Sequence, residues 1–370
     1  MGNVCSKFDY GIGAEAIDFD GKNRYIRITD IDEENSHYIR KSEVSPSFTD
    51  ENCIVKENDI LFARTGASTG KTYLYNEQDG KLYFAGFLIR ANVRNEFSAY
   101  FIYQQTKINR YKKWIQIMSA RSGQPGINAK EYQEYKVYYP NRQIQDKVAS
   151  FFNLLDQRID TQSKIIEDLE LFKKGIWNYI YLTKSSDWKC VKLSDILCER
   201  KDFALKGDEF IHATLSKDGI FAKTDRYDRD FLVTNDEKEY KITRLNDICY
   251  NPANLKFGVI CLNKFGDAIF SPIYVTYIVK NDFIPSFVKL ILTSNRFLKY
   301  IRKYEQGTVY ERMAVNSEDF LKGEILIPTK SKQKAIADYF DMLDLKIKKE
   351  KDILELYKKQ KAYLLKNMFI

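Results

Sequence analysis

The chain repeats itself. Displaced by 188 positions, Asn58-Asp59-Ile60 falls on Asn246-Asp247-Ile248, Gly70 on Gly258 and Pro140 on Pro328. Gln145, Ala149, Phe152, Leu155, Asp156 and Ile159 fall on Gln333, Ala337, Phe340, Leu343, Asp344 and Ile347. Asn109-Arg110 meets Asn295-Arg296 at a displacement of 186, so a small insertion or deletion flanks that segment on each side. One offset holding at both ends of a stretch of ~100 residues is the mark of a duplication. Each half of the 370 residues is long enough to bury its own core. A duplicated chain also acquires a pseudo-two-fold axis.

Both copies run through the same elements. An apolar, β-rich stretch with turn residues comes first, with strands at Asp59-Ile60-Leu61-Phe62-Ala63 and Lys81-Leu82-Tyr83-Phe84-Ala85. A helix is predicted over about 97–117, matched over about 285–304. A polar loop then leads to a short strand, Lys136-Val137-Tyr138-Tyr139 or Glu324-Ile325-Leu326-Ile327, which closes at Pro140 or Pro328. Pro suits a helix entrance, where its fixed φ and missing N–H cost nothing, and a long helix follows. The copies differ at their start. The second opens with Asp187-Trp188-Lys189-Cys190-Val191-Lys192-Leu193-Ser194-Asp195-Ile196, whereas Met1-Gly2-Asn3-Val4 corresponds only to Ser194-Asp195-Ile196. The edge of the first domain is therefore where the two are expected to part.

The long helices carry a heptad seam. In the first, Phe152, Leu155, Ile159, Gln162, Ile166, Leu169, Lys173, Ile176 and Ile180 alternate by three and four. In the second, Phe340, Leu343, Ile347, Glu350, Leu354, Tyr357, Lys361, Leu364 and Met368 do the same. The polar interruptions coincide under the repeat, Gln162 with Glu350 and Lys173 with Lys361. Residues 152 to 180 rise ~42 Å at 1.5 Å per residue. Two such helices lying on globular cores would each need a separate face; pairing with each other satisfies both seams at once.

Composition removes several classes of function. His37 and His212 are the only histidines, so a multi-His metal site cannot be built, and both read as surface or loop residues. Cys5, Cys53, Cys190, Cys198, Cys249 and Cys261 are scattered with no CxxC, which excludes the usual zinc spacing and reads as reduced thiols, mostly core filler. No run of 18 apolar residues suggests a membrane span, and the first residues lack the apolar core of a secretory signal, so a cytoplasmic protein is expected. Met1-Gly2 with Ser6 meets the loose myristoylation pattern, a match too short to carry a reading. The net charge of +8 permits a nucleic-acid partner without demanding one.

Two near misses sharpen this. Thr65-Gly66-Ala67-Ser68-Thr69-Gly70-Lys71-Thr72 imitates a phosphate-binding loop but has Thr65 where Gly is required. Thr72-Tyr73-Leu74-Tyr75 reads as strand, not as the helix whose N–H groups would hold the anion. Asn251-Pro252-Ala253-Asn254 approaches the Asn-Pro-Pro-aromatic signature of amino-methyltransferases but lacks the second Pro and the aromatic. With no Ser/His/Asp set and no paired metal ligands, the chain is expected to do no covalent chemistry, neither catalysing nor binding a cofactor or metal.

The whole plan resembles the specificity (S) subunit of type I restriction-modification systems. The segment 58–66 is similar to that family's strand-and-loop element, and 140–156 to the opening of its central helix, repeated at 328–344. The resemblance implies an α+β protein with target-recognition domains at 1–140 and 184–328. Each is followed by a long helix, 141–183 and 329–370, and the two helices pack as an antiparallel coiled coil with pseudo-two-fold symmetry. It further implies a non-catalytic adapter on double-stranded DNA. Each domain reads one half of a bipartite target while the helices set the spacer and dock two modification (M) subunits. Those bring S-adenosylmethionine and adenine methylation, and restriction (R) subunits add translocation and cleavage. Half-sites one helical turn apart lie ~34–36 Å from each other, which the helices can span. Base readers are expected on loops, from residues able to pair with base edges: Arg64, Thr65, Ser68, Lys71, Arg121, Ser122 and Gln124 in the first copy. In the second they are Asn251, Asn254, Lys256, Tyr310 and Arg312. The competing readings are a degenerate scaffold that binds protein only and a self-sufficient DNA methyltransferase or nuclease.

Overall fold

The computed structural model describes residues 1–120, 126–205, 209–223, 239–307 and 313–369. They form two compact units, Met1–Ile165 with Glu350–Ile370, and Ile166–Lys349. The division cuts through both long helices.

The first unit holds β1 (Cys5–Tyr10), β2 (Ala16–Asp18), β3 (Arg24–Ile26), β4 (Val44–Pro46), β5 (Asp59–Ala63), β6 (Thr72–Leu74), β7 (Leu82–Phe84) and β8 (Leu88–Val93). Helices α1 (Ala99–Gln104), α2 (Asn109–Ser119) and α3 (Ala129–Glu134) follow, then the long α4 (Arg142–Leu182). The second unit holds β9 (Lys189–Lys192), α5 (Leu193–Ile196), β10 (Leu197–Glu199), β11 (Phe203–Leu205), β12 (Ile211–Ser216), β13 (Gly219–Ala222) and β14 (Glu239–Thr243). It continues with β15 (Ile248–Tyr250), β16 (Ile260–Leu262), β17 (Ala268–Phe270), β18 (Val275–Val279), α6 (Pro285–Leu292), α7 (Asn295–Ile301), α8 (Ser317–Leu321), β19 (Glu324–Ile327) and α9 (Lys330–Met368).

The repeat is visible in the sheets. The first unit builds an antiparallel sheet in the order β1-β8-β5-β6, the second one in the order β10-β18-β15-β16. Its middle strand is covered on both faces. Ile60 and Phe62 join the core beneath α1 to α3, while Leu61 and Ala63 join a second core with Tyr25, Tyr83 and Phe84. Ile248 and Tyr250 on one side and Cys249 on the other divide in the same way. That is the period-2 alternation of a strand with two apolar surroundings. His212 differs from its expected surface role: it lies on β12, half-buried against the Tyr240 ring at 4.7 Å.

Two predicted elements change. The stretch 97–117 is two helices, α1 and α2, and 285–304 is likewise broken between α6 and α7. The breaks carry hydroxyls that bond back to the preceding turn, Thr106 Oγ1 to Tyr103 O at 2.8 Å and Thr293 Oγ1 to Lys289 O at 2.8 Å. Ser294 then caps α7 by accepting the Phe297 N–H. The second change is at residues 136–139, which form no strand. Glu324–Ile327 pairs with β9, but among the described residues no strand lies beside 136–139. Without a ladder the backbone takes another partner. The Gln105 side chain donates to Tyr138 O at 2.7 Å and accepts the Tyr138 N–H at 3.0 Å. Where the Leu193 N–H bonds Gly323 O, the Met1 ammonium bonds the carbonyls of Tyr135 and Gln133.

The seams face inward as their spacing predicts except at the end of the second, where Met368 is exposed. Phe152, Leu155, Ile159, Ile166, Phe340 and Ile347 are buried, and Leu169, Ile176, Leu343, Leu354, Tyr357 and Leu364 half-buried. In the first unit Gln162 Nε2 donates to Glu350 Oε2 at 2.6 Å, and Lys361 pairs with Asp156. In the second, Lys173 pairs with Asp344, and Trp177 meets Phe340 edge-on at 5.8 Å. The two lysine–aspartate pairs are repeats of each other. At each helix start a buried glutamine ties helix to sheet domain. Gln145 accepts the Ser98 N–H at 3.1 Å and donates to Pro140 O at 2.8 Å. Gln333 accepts the Ile284 N–H at 3.0 Å and donates to Pro328 O at 3.0 Å. Gln145→Ala and Gln333→Ala each strand one buried N–H and one carbonyl. Each is expected to cost about 1–3 kcal/mol, read by denaturant unfolding of the full chain.

Candidate nucleic-acid interface

The candidate loops leave the ends of the twice-covered strands. Asn58 and Asn246, in the left-handed region at φ 66° and 69°, turn the chain into β5 and β15. The next residue locks the turn. Asp59 accepts the Lys56 N–H at 2.8 Å and Asn92 Nδ2 at 2.7 Å, and burial raises its carboxyl above the usual range. Asp247 accepts the Arg244 N–H at 2.7 Å and is clamped by Arg200 at 2.7 and 3.0 Å.

Residues 64–71 form a closed loop between β5 and β6, and no helix begins at Lys71. Ala63 N–H bonds Lys71 O at 2.8 Å, Gly70 N–H bonds Ala63 O at 2.9 Å and Thr69 Oγ1 bonds Gly66 O at 2.7 Å. Arg64 lies with its guanidinium 4.8 Å from the Tyr10 ring centroid. Its backbone is held on both sides, the N–H by Phe87 O at 3.1 Å and the carbonyl by the Ile127 N–H at 2.9 Å. Thr65 bridges to Gly126, and Ser68 is half-buried. Lys71 is largely covered, its ammonium 3.8 Å from Glu33.

The second unit reuses the scaffold with other side chains. Val315 N–H bonds Pro252 O at 3.3 Å, the counterpart of the Ile127–Arg64 bond. Here the loop is a 3-10 helix, Pro252–Phe257, capped by Asn251, whose Oδ1 accepts the Ala253 N–H at 3.1 Å. Asn251 is thus engaged in the turn, Asn254 is half-buried, and Lys256 is exposed with its ammonium over the Phe257 ring at 5.2 Å. Arg121, Ser122, Gln124, Tyr310 and Arg312 lie outside the described residues. Sequence reasoning overlooked four exposed residues: Tyr10 under the Arg64 guanidinium, Phe87 with its carbonyl on the Arg64 N–H, Phe257 in the second loop, and Ile273 at the turn leading to the strand that pairs with β15. Phe87 and Ile273 were findable, because they align at the same displacement of 186 as Asn109 and Asn295.

A family model described as the type I restriction modification DNA specificity domain matches residues 11–171. The type I restriction enzyme MjaVIII specificity subunit of Methanocaldococcus jannaschii is 24% identical, with 90% of this chain and 84% of that protein covered. Residues 11–171 are thus similar to a type I specificity domain, and the likeness to a type I specificity subunit runs along most of the chain. The fold agrees: the crystal structure of the type I S subunit from M. genitalium superposes with a TM-score of 0.64 at 14% identity, covering 100% of this chain and 94% of that one. A chain from a structure of type I R-M complex assembly and conformational transition gives 0.52 at 12% identity, covering 98% and 95%. No helix among the described residues is long and apolar enough to cross a membrane.

One glycine sets the geometry of the first unit's loops. A Cβ on Gly11 would lie 2.3 Å from both the Phe84 and Ala85 carbonyl oxygens. Its absence lets the chain close with the Ile12 N–H on Phe84 O at 2.9 Å and the Gly86 N–H on Ile12 O at 2.8 Å. Gly11→Ala is expected to destabilise the chain by about 3 kcal/mol or more, against about 0.5 kcal/mol or less for Gly13→Ala, where nothing lies within 4 Å. Thermal unfolding of the two variants side by side checks this.

Proposed function

We propose that this chain is the adapter that gives a type I restriction-modification complex its DNA sequence specificity. The recognition domains, 1–140 and 184–328, each read one half of a bipartite site on double-stranded DNA. The helices 141–183 and 329–370 pair as an antiparallel coiled coil with pseudo-two-fold symmetry and set the spacer. The observation that carries this is the pair of equivalent loops. Arg64 and Pro252 hold one scaffold position through one kind of backbone bond, while the side chains around them differ. Identical scaffolds with divergent tips suit two different half-sites; phosphate contacts position, and base contacts specify.

Docking of two modification subunits is supported by the outer faces of the helices. Phe151 and Leu154 are exposed on α4, and their repeats Tyr339 and Met342 are exposed on α9. Large apolar side chains left in water at the same two positions of a repeat suit two copies of one partner. Those subunits would supply S-adenosylmethionine and the adenine methyltransferase, and restriction subunits the cleavage. Replacing Phe151 and Leu154 by Ser is expected to leave one modification subunit bound instead of two, read as the mass of the purified complex.

Co-expression with the cognate modification subunit in a methylation-free host, followed by genome-wide mapping of modified adenines, tests the function. A gapped two-part motif that requires both proteins is expected; modification by this chain alone overturns the reading. Arg64→Ala is expected to relax one half of that motif only. A uniform loss of affinity over all sequences would instead mark Arg64 as a phosphate contact.

A further inference from the structure

Two large apolar side chains stand at the tips of equivalent turns. Phe87 is 64% exposed between β7 and β8, and Ile273 is 63% exposed between β17 and β18. A single exposed apolar residue is ordinary. Two at the same place in a duplicated domain are not explained by chance exposure; Phe87 is bonded to the first loop, and Ile273 stands two residues before Val275, the strand partner of Tyr250 from which the second loop leaves.

The backbone beneath Phe87 is held on every side. Leu88 N–H bonds Ala85 O at 2.8 Å to close the turn, and Gly86 N–H bonds Ile12 O at 2.8 Å. Ile12 N–H bonds Phe84 O, and Gly11 N–H bonds Leu88 O at 3.3 Å. The Phe87 carbonyl itself accepts the Arg64 N–H. A tightly bonded turn therefore carries one large ring into solvent, with its carbonyl bonded to the backbone of Arg64. The second unit reaches the same result by other means. Pro272 precedes Ile273 and fixes its own φ, Tyr274 N–H bonds Ser271 O at 3.1 Å, and the Tyr274 ring packs edge-on against Phe270 at 5.4 Å. Rigid presentation removes the ordering cost that a contact made on binding would otherwise carry.

We infer that Phe87 and Ile273 are apolar base contacts, one in each half-site, each acting beside the polar readers of its own loop. The ligand is the apolar face of a base or a thymine methyl group in the duplex; apolar side chains contact both. DNA rather than a protein is indicated by continuity with the loop cations. Phe87 is bonded through its carbonyl to the backbone N–H of Arg64, whose guanidinium lies over the exposed Tyr10 ring. On the second unit's loop, Lys256 stands exposed over an exposed ring. This rests on the adapter reading above.

The test uses the full chain in complex with its modification subunits, and a duplex carrying both mapped half-sites. Phe87→Ala is expected to weaken binding about tenfold or more and to abolish discrimination at one or two base pairs of one half-site, with the other half-site read as before. Ile273→Ala should do the same in the opposite half-site. The slope of affinity against salt should stay unchanged, because an apolar contact releases no counterions. Phe87→Leu should bind within about threefold of the parent, which separates loss of the contact from loss of fold. Binding by Phe87→Ala within twofold of the parent, or an equal loss on unrelated DNA, would sink the inference while leaving the adapter reading intact. A parent complex with no sequence preference would defeat the adapter reading and this inference with it.

Discussion

Asp59 and Asp247 are carboxylates buried at the head of strands that have no solvent face. A buried carboxylate is tolerated only when its lone pairs are taken, and here a turn N–H and a neighbouring side chain take them. Because the strand is packed on both sides, it cannot slide or twist to relieve a misplaced turn. A one-residue slip would exchange the two cores. The loops that leave β5 and β15 are therefore placed by the most constrained part of each unit, and their tips are free to differ. A recognition protein needs that division: a fixed frame and replaceable side chains.

The helices follow the same logic with different chemistry. Their apolar seams supply burial, but Leu and Ile alone do not fix register. The polar positions do. Gln162 and Glu350 meet each other in the first unit, and each lysine of the seam finds an aspartate one repeat away from its counterpart's. A helix shifted by one turn would strand a buried amide and separate two partly buried lysine–aspartate pairs.

Much of this was legible in the residues. The 188-residue displacement is matched by two sheets of the same strand order, and the heptad positions from Phe152 to Leu364 are buried or half-buried. The repeated Asn-Asp-Ile was visible as a motif, but its reason was not. Only the structure reveals an Asn with positive φ followed by a buried acceptor. The helix breaks at Thr106 and Thr293 were missed, because an apolar period of 3.6 continues through a residue whose hydroxyl turns back on the preceding carbonyl. Asn251 was chosen as a base reader for its amide, and that amide's oxygen caps a turn.

The amino-acid order by itself determined the duplication, the fold class and the inward faces, since these depend on periodicity and spacing along the chain. Tertiary structure decided what spacing cannot encode. Residues 136–139 carry the pattern of a strand, yet a strand exists only where another lies beside it, as β9 lies beside β19. Phe87 and Ile273 look like core residues in a β-rich stretch, yet each stands exposed on its turn. Burial is a property of neighbours brought together from distant parts of the chain, and those neighbours appear only when the chain has folded.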